Sequence, residues 1–160
     1  MTETSFATAE PSAPNRRVWR IEVRAKADAD DPRGAALADE IREAGLGEML
    51  QTVSVTDVYL IETTLDQQAI ERIAGDLLID PVVQVYRLGA QPRAAQQACV
   101  EVHYKPGVMD PVAQSVELAI ADVLGLDHAE RPAAVRTAKR YDLAGIETPQ
   151  AMNIAQRLLA

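Results

Sequence analysis

A strict alternation of apolar and charged residues opens the patterned part of the chain. A period of two is typical of a strand that buries one face and exposes the other. We therefore predict a strand here, with the charged residues Arg20, Glu22 and Arg24 on a solvated face. The apolar members of the pattern are Trp19, Ile21, Val23 and Ala25.

An Asp-Pro pair marks the start of the first predicted helix. The Asp31 side chain can accept hydrogen bonds from N–H groups of the first turn, and Pro32 has no N–H to leave unpaired. A β-rich stretch follows over residues 52–62. It is longer than a typical strand and its alternation slips near Asp57, which indicates a bulge or a bend.

The first half of the pattern closes with a second helix and a short strand. Apolar residues recur with helical spacing from Ile70 and predict an amphipathic helix over residues 66–78. A Val-rich run predicts a strand at residues 82–86. The order of elements is thus β-α-β-α-β, which favours helices packed on one face of a mostly antiparallel sheet.

The same pattern then occurs a second time. A similarity at fixed spacing is typical of an internal repeat. The apolar stripe that begins at Ile70 recurs 81 positions later, from Ala151. The second copy stops at Ala160, so we expect it to be cut off before its final strand. At a spacing of 79 positions, Ile21-Glu22-Val23, Lys26 and Asp31-Pro32 recur as Val100-Glu101-Val102, Lys105 and Asp110-Pro111.

The repeat divides the chain into four segments. We expect a flexible leader at residues 1–16, a first repeat at 17–88, a linker at 89–97 and a second repeat at 98–160. Thr148-Pro149 is expected to cap the last helix as the Asp-Pro pairs cap the earlier ones. A missing strand would leave a sheet edge open in the second repeat. This predicts either a homodimer through that edge or reduced stability.

The composition excludes several classes of function. Of the 160 residues 48% are apolar, which is enough for a packed core, and the net charge is −8. Phosphate contacts need clustered Lys and Arg, so this charge argues against nucleic acid as a partner. No apolar run approaches the length of a membrane span, and the single Cys99 excludes an intrachain disulfide. We expect a cytoplasmic protein with no membrane partner.

The sequence contains no evident catalytic or metal-binding constellation. The two histidines, His103 and His128, have no ligand partners at metal-binding spacing. Cys99 lacks a neighbouring activating base. The acidic run over residues 28–31 lacks the glycine and the distal glutamate of an EF-hand loop. We therefore predict no catalytic residue, no cofactor-binding residue and no metal ligand.

One basic cluster stands out in the acidic chain, formed by Arg131, Arg136, Lys139 and Arg140. A solvated strand face is one interpretation of it, and a docking surface or a minor phosphate contact is the other. Our candidate residues for docking a partner are Arg136, Lys139 and Arg140. If the alternation holds, Arg136 and Arg140 share one face of their strand.

The second repeat resembles a known family through three stretches of sequence. The run from Val100 to Pro111 combines a strand, a lysine loop and an Asp-Pro helix start. Together with residues 135–139 and 155–160, it resembles PurS, the small subunit of bacterial phosphoribosylformylglycinamidine synthase. The first repeat resembles the family more weakly. Ala138 departs from the pattern, since the family tends to have Gly in its Val-Arg-x-Gly-Lys run.

The resemblance implies both a fold and a role. PurS pairs with a second copy, and two copies in one chain resemble the N-terminal region of the fused, PurL-type synthase. The expected fold is an α+β two-layer sandwich in which two repeats form a pseudo-dimer. The expected role is a non-catalytic assembly module of an ATP- and glutamine-dependent ligase of purine biosynthesis, which makes formylglycinamidine ribonucleotide (FGAM).

The resemblance also implies partners and the location of the cofactors. The partners are the synthetase and glutaminase domains or subunits of the same enzyme. ATP and Mg would be bound by the synthetase domain, with no cofactor in this segment.

A sensing domain is the alternative. Regulatory domains of the ACT type also use small duplicated α+β units and bind small effectors. That fold normally places two separate strands between its helices and a Gly-containing loop after the first strand. This chain has one long β stretch in that place, and a Pro106-Gly107 loop in the second copy alone.

Overall fold

A computed structural model describes residues 15–159, so most of the expected leader lies outside the described residues. Within that range, none of the helices has the length and apolar character needed to cross a membrane. The strands are β1 (Arg17–Ala25), β2 (Thr52–Thr63), β3 (Gln84–Leu88), β4 (Gln97–His103) and β5 (Ala133–Ala144). The helices are α1 (Pro32–Glu43), α2 (Gln67–Ile73), α3 (Pro111–Leu124) and α4 (Thr148–Ile154). A π-helical turn extends α2 over Ala74–Leu78 and another extends α4 over Ala155–Leu159, and a 3₁₀ turn covers His128–Glu130.

The five strands form one antiparallel sheet in the order β3-β1-β2-β5-β4. The long strands β2 and β5 pair at its centre, from Thr52 opposite Ala144 to Thr63 opposite Ala133. The sequence predicted a bulge or a bend near Asp57, and this register has no break, so the strand has no bulge there. The alternation slips there because β2 is buried on both faces: Thr56 and Val58 on one face are 3% and 0% exposed, and Val55 on the other is 4% exposed.

The described elements occur in the same order twice. Strand, helix, strand, helix and π-helical turn follow one another over residues 17–78 and again over residues 97–159. We call these the first and second halves, and β3 follows the first of them. No strand in the described residues follows the second half, and β4 is therefore one edge of the sheet.

The helices cover one face of the sheet, and two apolar clusters lie between the layers. One cluster joins Ile41 of α1 to Ile154 of α4. The other joins Ile70 of α2 to Ile120 of α3. Each cluster therefore combines the first helix of one half with the second helix of the other, so the core is shared between the halves.

The opposite face of the sheet is more buried than the sequence suggests. Glu22 and Arg140 lie on it and are 1% and 5% exposed. The linker between β3 and β4 connects opposite edges of the sheet, and its residue Gln91 contacts both of these side chains. The linker therefore passes over this face, and the solvated face predicted for β1 is wrong at Glu22.

Most of the predicted element ends agree with the structure, with two corrections. Asp31 and Asp110 cap their helices as expected. The last helix is capped by Glu147, one residue before the predicted Thr148, because the Glu147 N–H donates to the side chain of Gln150 at 3.1 Å. Strand β3 begins two residues later than predicted.

Candidate partner-docking interface

The three predicted docking residues do not share one surface. Alternation along β5 places Arg136 and Arg140 on the face away from the helices and Lys139 on the helix face. Arg136 is exposed, whereas Arg140 is buried. The structure therefore places the three residues apart. Arg136 is solvated, Arg140 is buried and Lys139 lies at the centre of the sheet.

Lys139 makes an ion pair across the central strands. Its Nζ lies 3.1 Å from Oδ1 of Asp57, the residue directly opposite on β2. The other oxygen of Asp57 accepts a hydrogen bond from Arg33 Nη1 at 2.7 Å. Asp57 thus faces two cations, and the group of three side chains carries one net positive charge.

This ion pair lies where the two halves are related to each other. Oδ2 of Asp31 accepts a hydrogen bond from the Val55 N–H, and Oδ2 of Asp110 accepts one from the Thr137 N–H, both at 3.0 Å or less. Val55 and Thr137 are therefore equivalent, 82 positions apart. The same spacing makes Asp57 and Lys139 equivalent, although their charges are opposite.

Asp57 and Lys139 thus occupy corresponding positions and also lie opposite each other in the antiparallel pair of β2 and β5. Opposite charges at this position turn what would be a like-charge contact between identical halves into an attraction. Because Lys139 is half-exposed, the attraction contributes modestly to stability.

A hollow of about 220 Å³ lies on the helix side beside this ion pair. Tyr59, Tyr141 and Lys139 line it, together with Val112 of α3. Val112 is equivalent to Arg33, whose longer side chain reaches Asp57 within the first half. The hollow thus lies where the second half has the smaller side chain of Val112 in place of an arginine.

Arg140 is held by partners from three parts of the chain. Its guanidinium donates to both carboxylate oxygens of Asp142, at 2.9–3.2 Å, and to the Gln91 carbonyl at 2.6 Å. Its Nη1 also lies 3.5 Å from Glu22 Oε1. Burial is the largest single effect on the pKa of Arg140 and lowers it, but the hydrogen bond to Asp142 and the nearby negative charges together raise that pKa. Arg140 therefore stays charged and ties the linker to the sheet.

A second arginine joins the two halves on the same face. Arg20 of β1 donates to Glu22 at 2.7 and 2.9 Å and to both oxygens of Glu101 on β4, at 2.6 and 3.0 Å. The hydrogen bond from Arg20 lowers the pKa of Glu101, against an opposing effect of burial. Glu22 also accepts the Gln91 N–H at 2.9 Å, so its buried carboxylate is fully paired.

Sequence analysis missed this network of Arg20, Glu22, Glu101, Arg140 and Asp142. We call it the polar-face network. The pairs Arg20-x-Glu22 and Arg140-x-Asp142 place opposite charges two residues apart on one face of a strand. That spacing was visible in the sequence, but the path of the linker that buries the pairs was not.

The remaining titratable candidates have ordinary structural roles. Burial raises the pKa of Cys99, which keeps it a protonated thiol. His103 and His128 are half-exposed, and each lies 2.7 Å from a carboxylate, Glu101 and Asp122 respectively. Among residues 15–159, no three His, Cys, Asp or Glu side chains are grouped so that they could hold a metal ion.

The acidic run over residues 28–31 is partly used inside the fold. Asp31 caps α1 by accepting the Gly34 N–H at 3.0 Å, and its other oxygen accepts the Val55 N–H. Asp110 does the same for α3 and β5, and it also accepts the Thr137 hydroxyl. These hydrogen bonds lower the pKa of Asp110 although burial opposes them. Asp31 therefore fixes α1 to β2, and Asp110 fixes α3 to β5.

Comparison with known families gives one match, in the first part of the chain. Residues 18–91 match the family model of PurS, phosphoribosylformylglycinamidine (FGAM) synthase. The match runs from β1 through β3 and covers the half in which the sequence resemblance was weaker. Searches of curated proteins and of solved structures gave no match.

Proposed function

We propose that this chain is a non-catalytic assembly module of phosphoribosylformylglycinamidine synthase, acting in purine biosynthesis. It would help to organise the synthetase and glutaminase parts of an enzyme that converts formylglycinamide ribonucleotide, ATP and glutamine to FGAM. ATP and Mg would be bound by the synthetase part. The observation that carries the proposal is the PurS domain at residues 18–91, which spans one complete β-α-β-α-β unit.

We infer further that the two halves form a pseudo-dimer of PurS-like units in one chain. Three observations support this inference: the repeated element order, the two core clusters shared between the halves, and the equivalent residues Asp57 and Lys139 facing each other. Tethering makes the pairing intramolecular, which raises the effective concentration of each half for the other.

The chemistry of the described residues favours a scaffold over a sensor. The network side chains are paired with one another or with the linker, so they hold the sheet rather than face a substrate. A single strand, β2, lies between α1 and α2, whereas the ACT arrangement has two there. The paired network therefore gives no effector site, and the single strand β2 differs from the ACT arrangement.

Within the basic cluster of the sequence, we propose Arg136 as the docking residue. It is exposed on β5, on the face away from the helices, and the described residues offer its side chain no hydrogen-bond or ion-pair partner. Arg140 is a poor docking residue because its guanidinium is buried and already paired. Lys139 is half-exposed and remains a secondary candidate.

Assembly with a synthase lacking its PurS component tests the proposed function. The chain is added to synthetase and glutaminase that are shown to be folded, and glutamine-dependent FGAM formation is measured together with co-elution. We expect co-elution and restored activity. Absence of both would reject the assembly role.

Two charge reversals then test the docking residue. Arg136→Glu should weaken co-elution, since it reverses an exposed charge at the proposed contact. Arg72→Glu reverses an exposed charge on α2 and should leave co-elution unchanged. Equal co-elution of both variants would exclude Arg136 as the contact.

A further inference from the structure

The outer surface of α3 differs from that of its equivalent helix, α1. Helix α1 contains five charged residues among 12, whereas α3 contains two among 14. One of these two, Glu117, accepts the Val135 N–H at 2.7 Å and so belongs to the packing of α3 against β5. The other, Asp122, is on the solvent side. The outer surface of α3 is therefore largely apolar where that of α1 is charged.

Two positions show this difference most clearly. At the repeat spacing of 79 positions, Val112 takes the place of Arg33 and Leu118 takes the place of Asp39. Val112 and Leu118 are 48% and 52% exposed. The second half thus presents two large aliphatic side chains to solvent at positions where the first half presents charges.

These positions are exposed in both halves. In the first half, where β3 follows the second helix, the side chains of Arg33 and Asp39 are still 42% and 72% exposed. The segment that follows the second helix therefore leaves this part of the helix layer uncovered. The exposure of α3 is a property of its place in the fold.

A groove runs along one flank of α3. It has a volume of about 420 Å³ and lies between α3 and the π-helical turn that extends α2. Leu77 and Leu78 line it on the side of the π-helical turn, and Val112, Ser115 and Ala119 line it on the side of α3. Aliphatic side chains dominate both walls, so the groove fits an apolar side chain.

Leu118 lies on the opposite flank of α3 from this groove. At 3.6 residues per turn, Leu118 is about 100° round the helix from Ala119 and about 120° from Val112. The short side chains of Ser115 and Ala119 occupy the surface between them. The outer surface of α3 thus combines a protruding apolar side chain, a low centre and an apolar groove, and a continuous apolar surface of this kind is typical of an interaction site.

We propose that this surface binds a second copy of the chain, with the two α3 helices antiparallel about a twofold axis between Ser115 and Ala119. The axis exchanges the two flanks, so Leu118 of each copy enters the groove of the other. Ser115 faces Ala119 of the other copy, and their small side chains let the two helices approach closely. The proposal does not depend on the assembly role.

Charge complementarity favours a second copy in this orientation. The residues at the centre of the contact are uncharged, so the net charge of −8 per chain is carried by residues outside it. Asp122, which contacts His128 at 2.7 Å, would lie near Pro111 of the other copy. That is the N-terminal end of a helix, where a carboxylate is stabilised. A parallel pair would instead place the two Asp122 carboxylates together.

Sedimentation over a range of concentrations tests the dimer. The contact is confined to one helix and one groove of each copy, so we expect a dimer that dissociates on dilution. Leu118→Asp introduces the residue that α1 has at this position. It should raise the Kd of the dimer by about 100-fold, because two leucine contacts are lost and two carboxylates must lose water.

Met152→Asp provides the matched control. Met152 is a 48% exposed apolar residue on α4, and its replacement by aspartate should leave the Kd unchanged. Melting temperatures check that both variants are folded. A wild-type chain that stays monomeric at the highest soluble concentration would overturn the proposal, and so would equal losses of affinity in the two variants.

Cysteine cross-linking tests the orientation without relying on Leu118. Residues that face each other across two closely packed helices have Cα atoms within the range that a disulfide spans, about 4.4–6.8 Å. In a Cys99→Ser background, Ser115→Cys chains and mass-tagged Ala119→Cys chains are mixed and oxidised. We expect mixed covalent dimers to form faster than dimers of either variant with itself. Faster cross-linking of each variant to itself would indicate a parallel pair and overturn the proposed orientation.

Discussion

At the scale of single residues, the face a side chain occupies was predictable and its burial was not. Alternation places Glu22 and Arg140 away from the helices, as their strands show. Their burial follows from the linker, whose residue Gln91 binds both of them. The path of a linker across a sheet is set by where two strands lie in the sheet order, which local sequence does not encode.

Arg140 has a structural role, whereas Arg136 on the same strand is solvated. Arg140→Met should lower the free energy of unfolding by about 2–4 kcal/mol, because it leaves Asp142 and the Gln91 carbonyl without their buried cation. Arg136→Met removes the same charge from an exposed site on the same strand and should change stability by less than about 0.5 kcal/mol. Urea unfolding of both variants measures the difference. Equal losses would show that the polar-face network does not stabilise the fold.

At the scale of elements, helix starts were the most predictable feature. An Asp before Pro accepts the free N–H groups of the first turn, and Asp31 and Asp110 do so. The bond from each second carboxylate oxygen to a strand N–H was not predictable, since it depends on how the helix lies on the sheet. Strand β2 was predicted, but it has no bulge near Asp57, because burial on both faces of a strand resembles a break in alternation.

The second hydrogen bond, from the Thr137 N–H, makes Asp110 more important for stability than an ordinary helix cap. Asp110→Ala should lower the free energy of unfolding by about 2–4 kcal/mol, through loss of the cap and an unpaired Thr137 N–H. Asp66 caps α2 through the Ala69 N–H at 2.9 Å. Asp66→Ala should therefore cost about 1 kcal/mol. Chemical denaturation compares the two, and equal costs would mean that the bond to β5 contributes nothing.

At the scale of the whole molecule, the proposed pairing of the halves explains why neither has a core of its own. The cluster around Ile70 takes Val116 and Ile120 from the second half. The cluster around Ile41 takes Ile154 from α4. The repeat in the sequence predicted two similar units, but periodicity alone cannot tell whether each unit packs its helices on itself or on the other.

Separating the halves tests this account most directly. Residues 1–91 and 92–160 are produced as two polypeptides and examined by amide NMR and by mass in solution, alone and mixed. We predict that neither gives a folded monomer, since each would expose an apolar helix face, and that mixing yields a folded one-to-one complex. A cooperatively folded monomer of either half alone would contradict the account.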